Sequence, residues 1–104
     1  MNKYSYVFVR TDLTVPQQIV QAGHVCMWVG SEIGPQEGAV NFVLSPAKCE
    51  VELEEIAMHL EMHGIKYKIF KETMPEIAGH TAICTFPLVG DQRKPLKKFQ
   101  LMRG

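Results

Sequence analysis

Seven side chains spread along the sequence have the types needed for hydrolytic or proton-transfer chemistry: Arg10, Asp12, Gln18, Gln21, His24, Glu72 and Thr81. A carboxylate or an imidazole can orient or deprotonate a water. An amide, a hydroxyl or a guanidinium can donate to a developing oxyanion. The first five lie where an alternating apolar stretch gives way to a segment opened by Pro16. Polar groups gathered where a strand hands over to a helix are where α/β proteins usually place ligand chemistry. Each also has a structural use. Asp12 is equally suited to holding backbone N–H groups in the turn, and His24 to being a satisfied interior histidine. Arg10 can pair with Asp12 or Glu72, and Thr81 fits a strand by propensity alone. Taken alone, these residues define a polar pocket beside a sheet.

The elements that must position them follow from periodicity. Residues 4–10 alternate as a buried strand with Arg10 at its exit. Pro16 suits the first turn of a helix, where its missing N–H costs nothing. In that helix Ala22, Cys26, Val29 and Ile33 form an apolar stripe, and Gln17, Gln21, His24 and Trp28 a mixed one. Residues 39–44 read as a second strand, and Ser45-Pro46 as an N-cap followed by proline at the start of a second helix. Leu53, Ile56, Ala57 and Leu60 face inward on that helix, its glutamates face out, and Gly64 ends it. Residues 65–71 and 80–86 read as the third and fourth strands, with a short helix or turn after Pro87. The order is strand, helix, strand, helix, strand, strand. Crossover helices favour parallel neighbours, and the short third connection an antiparallel pair. The expected fold is α/β: a mixed four-stranded sheet with helices packed on it in two or three layers.

At 104 residues and 46% hydrophobic, residues 1–104 are expected to form one domain. No apolar run approaches the ~20 residues that span a bilayer, and the N-terminus has no signal-peptide pattern, so a cytoplasmic setting is expected. Cys26, Cys49 and Cys84 are odd in number and lack CxxC spacing, which suggests neither a disulfide framework nor a zinc ribbon. There is no GxGxxG or P-loop motif, so no cofactor is expected. His59 and His63 are spaced i, i+4, but His-Leu-Glu-Met-His misplaces the acid for a metalloprotease and no third ligand is evident, so no metal is expected either. The net charge of zero conceals acid at Glu50, Glu52, Glu54, Glu55 and Glu61, and base at Arg93, Lys94, Lys97, Lys98 and Arg103. The basic run is either a solvated tail or an anion-binding surface.

Three segments resemble the type-2 (archaeal and eukaryotic) peptidyl-tRNA hydrolases. Arg10, Asp12, Leu13, Gln21 and His24 match the N-terminal pattern of a strand ending in Arg-x-Asp-Leu, then a helix with Lys-x-Ala-Ala-Gln-x-x-His-Ala. Lys71-Glu72-Thr73, the run Met74 to Gly79, and Thr81 before Ala82-Ile83-Cys84 are similar to the late loop and following strand. Pro95 to Leu101 resembles the ending of the peptidyl-tRNA hydrolase domain-containing subgroup.

The resemblance implies hydrolysis of the ester joining a peptide to tRNA, without a cofactor or metal. It places the catalytic lysine, aspartate and threonine at Gln18, Glu72 and Thr81, with Asp12 and His24 beside them. It implies tRNA contacts at Arg10, Gln21, Arg93, Lys94, Lys97 and Lys98, and a homodimer. Glutamine for lysine removes a cation, and losing one such donor typically costs ~10²–10³ in rate. A relative that binds RNA without cleaving it is the alternative, and a small interaction scaffold a third.

Overall fold

The computed structural model describes residues 2–102. Arg103, expected above as part of the basic run, lies outside them. The chain runs β1 (Lys3–Arg10), α1 (Val15–Ile33), β2 (Val40–Ala47), α2 (Glu50–Met62), β3 (Tyr67–Glu72) and β4 (Gly79–Thr85), with 3-10 turns at Pro75–Ile77 and Gly90–Leu96. The sheet order is β2-β1-β4-β3. β1 and β2 are parallel, and β4 runs antiparallel to both β1 and β3. β3 therefore points the same way as β1 and β2 but is not their neighbour. The second crossover carries the chain from one edge of the sheet to the other, which corrects the expectation that β2 and β3 would pair.

The two helices lie on opposite faces, so the fold has three layers. Alternation along β1 sends Tyr6 and Phe8 toward Leu53, Ile56 and Leu60 of α2. Val7 and Val9 go instead toward Val25 and Val29 of α1. Leu96 and Phe99 extend the α2 core from the C-terminal segment, Phe99 meeting Phe8 edge to face at 5.1 Å.

α1 is opened by a capping box. The Thr14 hydroxyl accepts the Gln17 N–H, and the Gln17 side chain accepts the Thr14 N–H. Its buried face is Gln21, Val25 and Val29, with Ala22, Cys26 and Ile33 beside it. The apolar stripe expected through Ala22 and Cys26 is thus rotated by one residue, and a glutamine joins the core.

α2 starts later than expected. Ser45-Pro46 does not cap it. Both residues continue β2, where the Ser45 hydroxyl donates to the Gln100 carbonyl at 2.5 Å, and Cys49 is the N-cap. Pro46 is tolerated there because β2 is an edge strand. Leu53, Ile56, Ala57 and Leu60 are buried as the periodicity predicts, and Gly64 closes the helix at φ +66. Among the described residues no helix is long and apolar enough to cross a membrane.

Candidate functional site

The C-terminal ends of β1, β2 and β3, the start of β4 and the N-termini of both helices meet at one end of the sheet. An irregularity there decides which way the side chains go. Phe70 pairs with Ala82 and Lys71 with His80, so Thr81 is the extra residue of a β-bulge. A bulge breaks the alternation of the strand. It sends Thr81 to the α1 side along with Ala82, and His80 to the α2 side.

On the α1 side the Thr81 hydroxyl donates to Gln21 Oε1 at 2.6 Å, and Gln21 Nε2 donates to Glu72 Oε1 at 2.8 Å. Thr81 and Gln21 are fully buried and Glu72 is half-buried at the rim. Glu72 Oε2 takes the Thr73 N–H at 2.8 Å and the Met74 N–H at 3.4 Å. The Gln21 amide, then the Thr73 N–H, hold the Glu72 carboxyl below the usual carboxylate range, and His24 adds a smaller electrostatic contribution. His24 itself is exposed and stacks on Phe70 with ring centroids 4.7 Å apart.

Gln18, expected among the catalytic residues, is not part of this hydrogen-bonded relay. Its Nε2 donates to the Leu13 carbonyl at 2.8 Å. With Val9, Val15, Ile19, Ala22, Leu44 and Met102 it lines an apolar cleft of about 640 Å³ on the β2 flank of α1.

On the α2 side Arg10 and Asp12 form a bidentate pair, Nε to Oδ1 at 3.0 Å and Nη2 to Oδ2 at 2.9 Å. The third Arg10 contact is to the His80 carbonyl at 3.2 Å. The hydrogen bond to Arg10 lowers the Asp12 pKa, and its counterpart raises that of Arg10. Arg10 is thus committed to the turn. Next to it, Glu50 and Glu54 of α2 face His80: Glu50 Oε2 accepts the His80 N–H at 2.6 Å, and Glu54 Oε2 lies 3.0 Å from His80 Nδ1. By periodicity alone these glutamates belong to an outward helix face and His80 only to the start of a strand. Gly79, which looks like ordinary loop punctuation, was the available signal. It has φ +108, and a Cβ there would run into the Glu50 carboxylate.

Three of the residues expected to meet tRNA are engaged within the protein, Arg10 in the turn among them. Gln21 is buried, with both ends of its amide engaged. Arg93 lies 3.4 Å over the Tyr4 ring and donates to the Tyr6 hydroxyl at 3.0 Å. Lys94, Lys97 and Lys98 are exposed, Lys94 beside Asp91 at 3.7 Å.

No family model matches the sequence and no curated protein matches it. Among solved structures, a protein of unknown function from Agrobacterium tumefaciens strain C58 has the same architecture. It superposes with a TM-score of 0.70 over 99% of each chain, at 15% sequence identity. At that identity the likeness speaks to the fold alone.

Proposed function

We propose that the protein hydrolyses the ester of peptidyl-tRNA or a similar N-substituted aminoacyl-tRNA, acting in the cytoplasm where that substrate occurs. One observation carries this reading: an ionised carboxylate, Glu72, sits at the rim of the strand ends, held by a buried amide–hydroxyl chain through Gln21 to Thr81. Glu72 is the member of the chain that can meet a water. Its lowered pKa suits it to orienting that water more than to removing its proton. Attack of the water on the ester carbonyl carbon would break the bond to the tRNA 3′ oxygen, releasing peptide acid and tRNA. Gln21 and Thr81 act as positioning residues, because burial keeps both from the substrate.

A second reading, binding without cleavage, is favoured by the Gln18 amide. It is turned to the Leu13 carbonyl, and among the described residues no lysine or arginine forms an ion pair with Glu72. The exposed Lys94, Lys97 and Lys98 would then supply phosphate contacts. A homodimer is compatible with either reading.

Hydrolysis of N-acetyl-aminoacyl-tRNA by the wild type, Glu72→Ala and Gln18→Lys separates the two. The hydrolase reading expects slow cleavage that Glu72→Ala abolishes and Gln18→Lys accelerates by up to ~10²–10³. Absence of cleavage in all three proteins removes it. If tRNA binding at low salt then weakens in Lys97→Ala/Lys98→Ala, with a shallower salt dependence, the binding reading stands.

A further inference from the structure

The histidines that spacing alone offers to a metal are poorly placed for one. His59 and His63 have ring centroids 4.5 Å apart, and His59 Nε2 is 2.8 Å from the Pro95 carbonyl. The fold gathers a different set. Glu50 and Glu54 lie one turn apart at the start of α2 and converge on His80 of β4, and one donor atom from each lies within 4.8 Å of the others. We infer that Glu50, Glu54 and His80 form a binding site for a divalent transition ion of the zinc type, with a coordination position left open to solvent. This site is independent of the proposed hydrolysis.

Distance is the first support. A tetrahedral ion with bonds of about 2.1 Å holds its ligand atoms about 3.4 Å apart. His80 Nδ1 is 3.0 Å from Glu54 Oε2 and 3.9 Å from Glu50 Oε2, values on either side of that spacing. All three donor atoms lie within 4.8 Å of one another, so side-chain adjustment is what closing onto an ion requires.

Placement is the second. Glu50 is not a freely solvated acid. The His80 N–H fixes one of its oxygens, and its carboxylate fills the space a side chain at Gly79 would take. Two ligands from different elements are thus set against each other before any ion arrives, which lowers the ordering cost of binding.

Charge is the third. Asp12, Glu50 and Glu54 carry three negative charges, and Arg10, already paired with Asp12, returns one. The balance is −3 + 1 = −2 with His80 neutral, which a divalent cation cancels. Among the described residues no lysine or arginine forms an ion pair with Glu50 or Glu54. The positive end of α2 opposes a cation, but its partial charge is small beside the charges of the two carboxylates. One imidazole and two carboxylates suit zinc, cobalt or nickel better than magnesium, which favours all-oxygen octahedral sites.

The test is calorimetric titration of the whole protein with zinc chloride near pH 7, with thermal unfolding in parallel. One saturable site of micromolar or tighter affinity is expected, with a higher unfolding midpoint in zinc. Magnesium should give at least tenfold weaker binding. Glu54→Gln changes a half-exposed side chain and leaves the fold intact, and it should weaken zinc at least tenfold, as should His80→Ala. His59→Ala/His63→Ala should bind like the wild type. Absence of binding up to about 1 mM zinc overturns the site. So does full affinity in Glu54→Gln, or loss of binding in the His59/His63 or Cys49→Ser variants.

Discussion

His80 and Thr81 are neighbours in the chain and sit on opposite sides of the sheet, in surroundings built on different physics. The Thr81 side is a closed relay of neutral groups under α1, ending in one carboxylate at the rim. The His80 side is an open cluster of full charges under the N-terminus of α2. Burial explains the difference. A buried ion carries a heavy desolvation penalty, so the covered face uses an amide and a hydroxyl that satisfy each other. Among the described residues no buried side-chain polar atom lacks a partner. The half-exposed face can keep ions because water shares their solvation.

If this contrast holds, breaking the buried relay should have the largest effect. Gln21→Leu leaves the Thr81 hydroxyl without its acceptor, and we expect a loss of about 2–3 kcal/mol in urea unfolding. Gln21→Leu/Thr81→Val, which removes both partners, should recover most of it. A double variant no more stable than the single one would show that packing, not hydrogen bonding, is what Gln21 supplies.

Gly79→Ala should come next, at about 1–2 kcal/mol, because it forces a side chain into a positive-φ position and against Glu50. Amide chemical shifts should move around Glu50 and Glu54 more than around Gln21. Arg10→Lys/Asp12→Asn, which dissolves the bidentate pair, should cost about 1 kcal/mol or less, since Asp12 is 40% exposed and solvent screens the pair.

The smallest effect separates the two carboxylates by pH and salt. Both have folded pKa values below their unfolded ones, so each contributes stability above the unfolded carboxylate pKa. That contribution is lost as pH falls through the folded value. The partner of Asp12 is a cation, whereas Glu72 is held by neutral N–H groups. In a carboxyl NMR titration, 1 M salt should move the Asp12 pKa toward its ordinary value and leave Glu72 nearly unchanged. Equal salt sensitivity would mean that His24, not Gln21, controls Glu72.

The hydrophobic pattern made most of the fold legible. Val7 and Val9 against Tyr6 and Phe8 are enough to announce a buried strand, though not whether the helices lie on one face or both. Leu53, Ile56, Ala57 and Leu60 announce the face of α2. The start of α2 is not legible locally, because Ser45-Pro46 fits an edge strand as well as a helix cap, and the choice rests on the Gln100 carbonyl, far away in the chain. Gln21 falls on a stripe of mixed polarity, and its type says nothing of Thr81, the partner that offsets the cost of its burial.

Sequence by itself determined the order of elements, because periodicity is a local property, and it left Arg10 a choice between Asp12 and Glu72 that the folded turn settles for Asp12. Only the tertiary structure decided that Thr81 joins Gln21 while His80 joins Glu50 and Glu54. A single bulged residue in β4 reverses the side-chain direction there, and its cause lies in the pairing with β3.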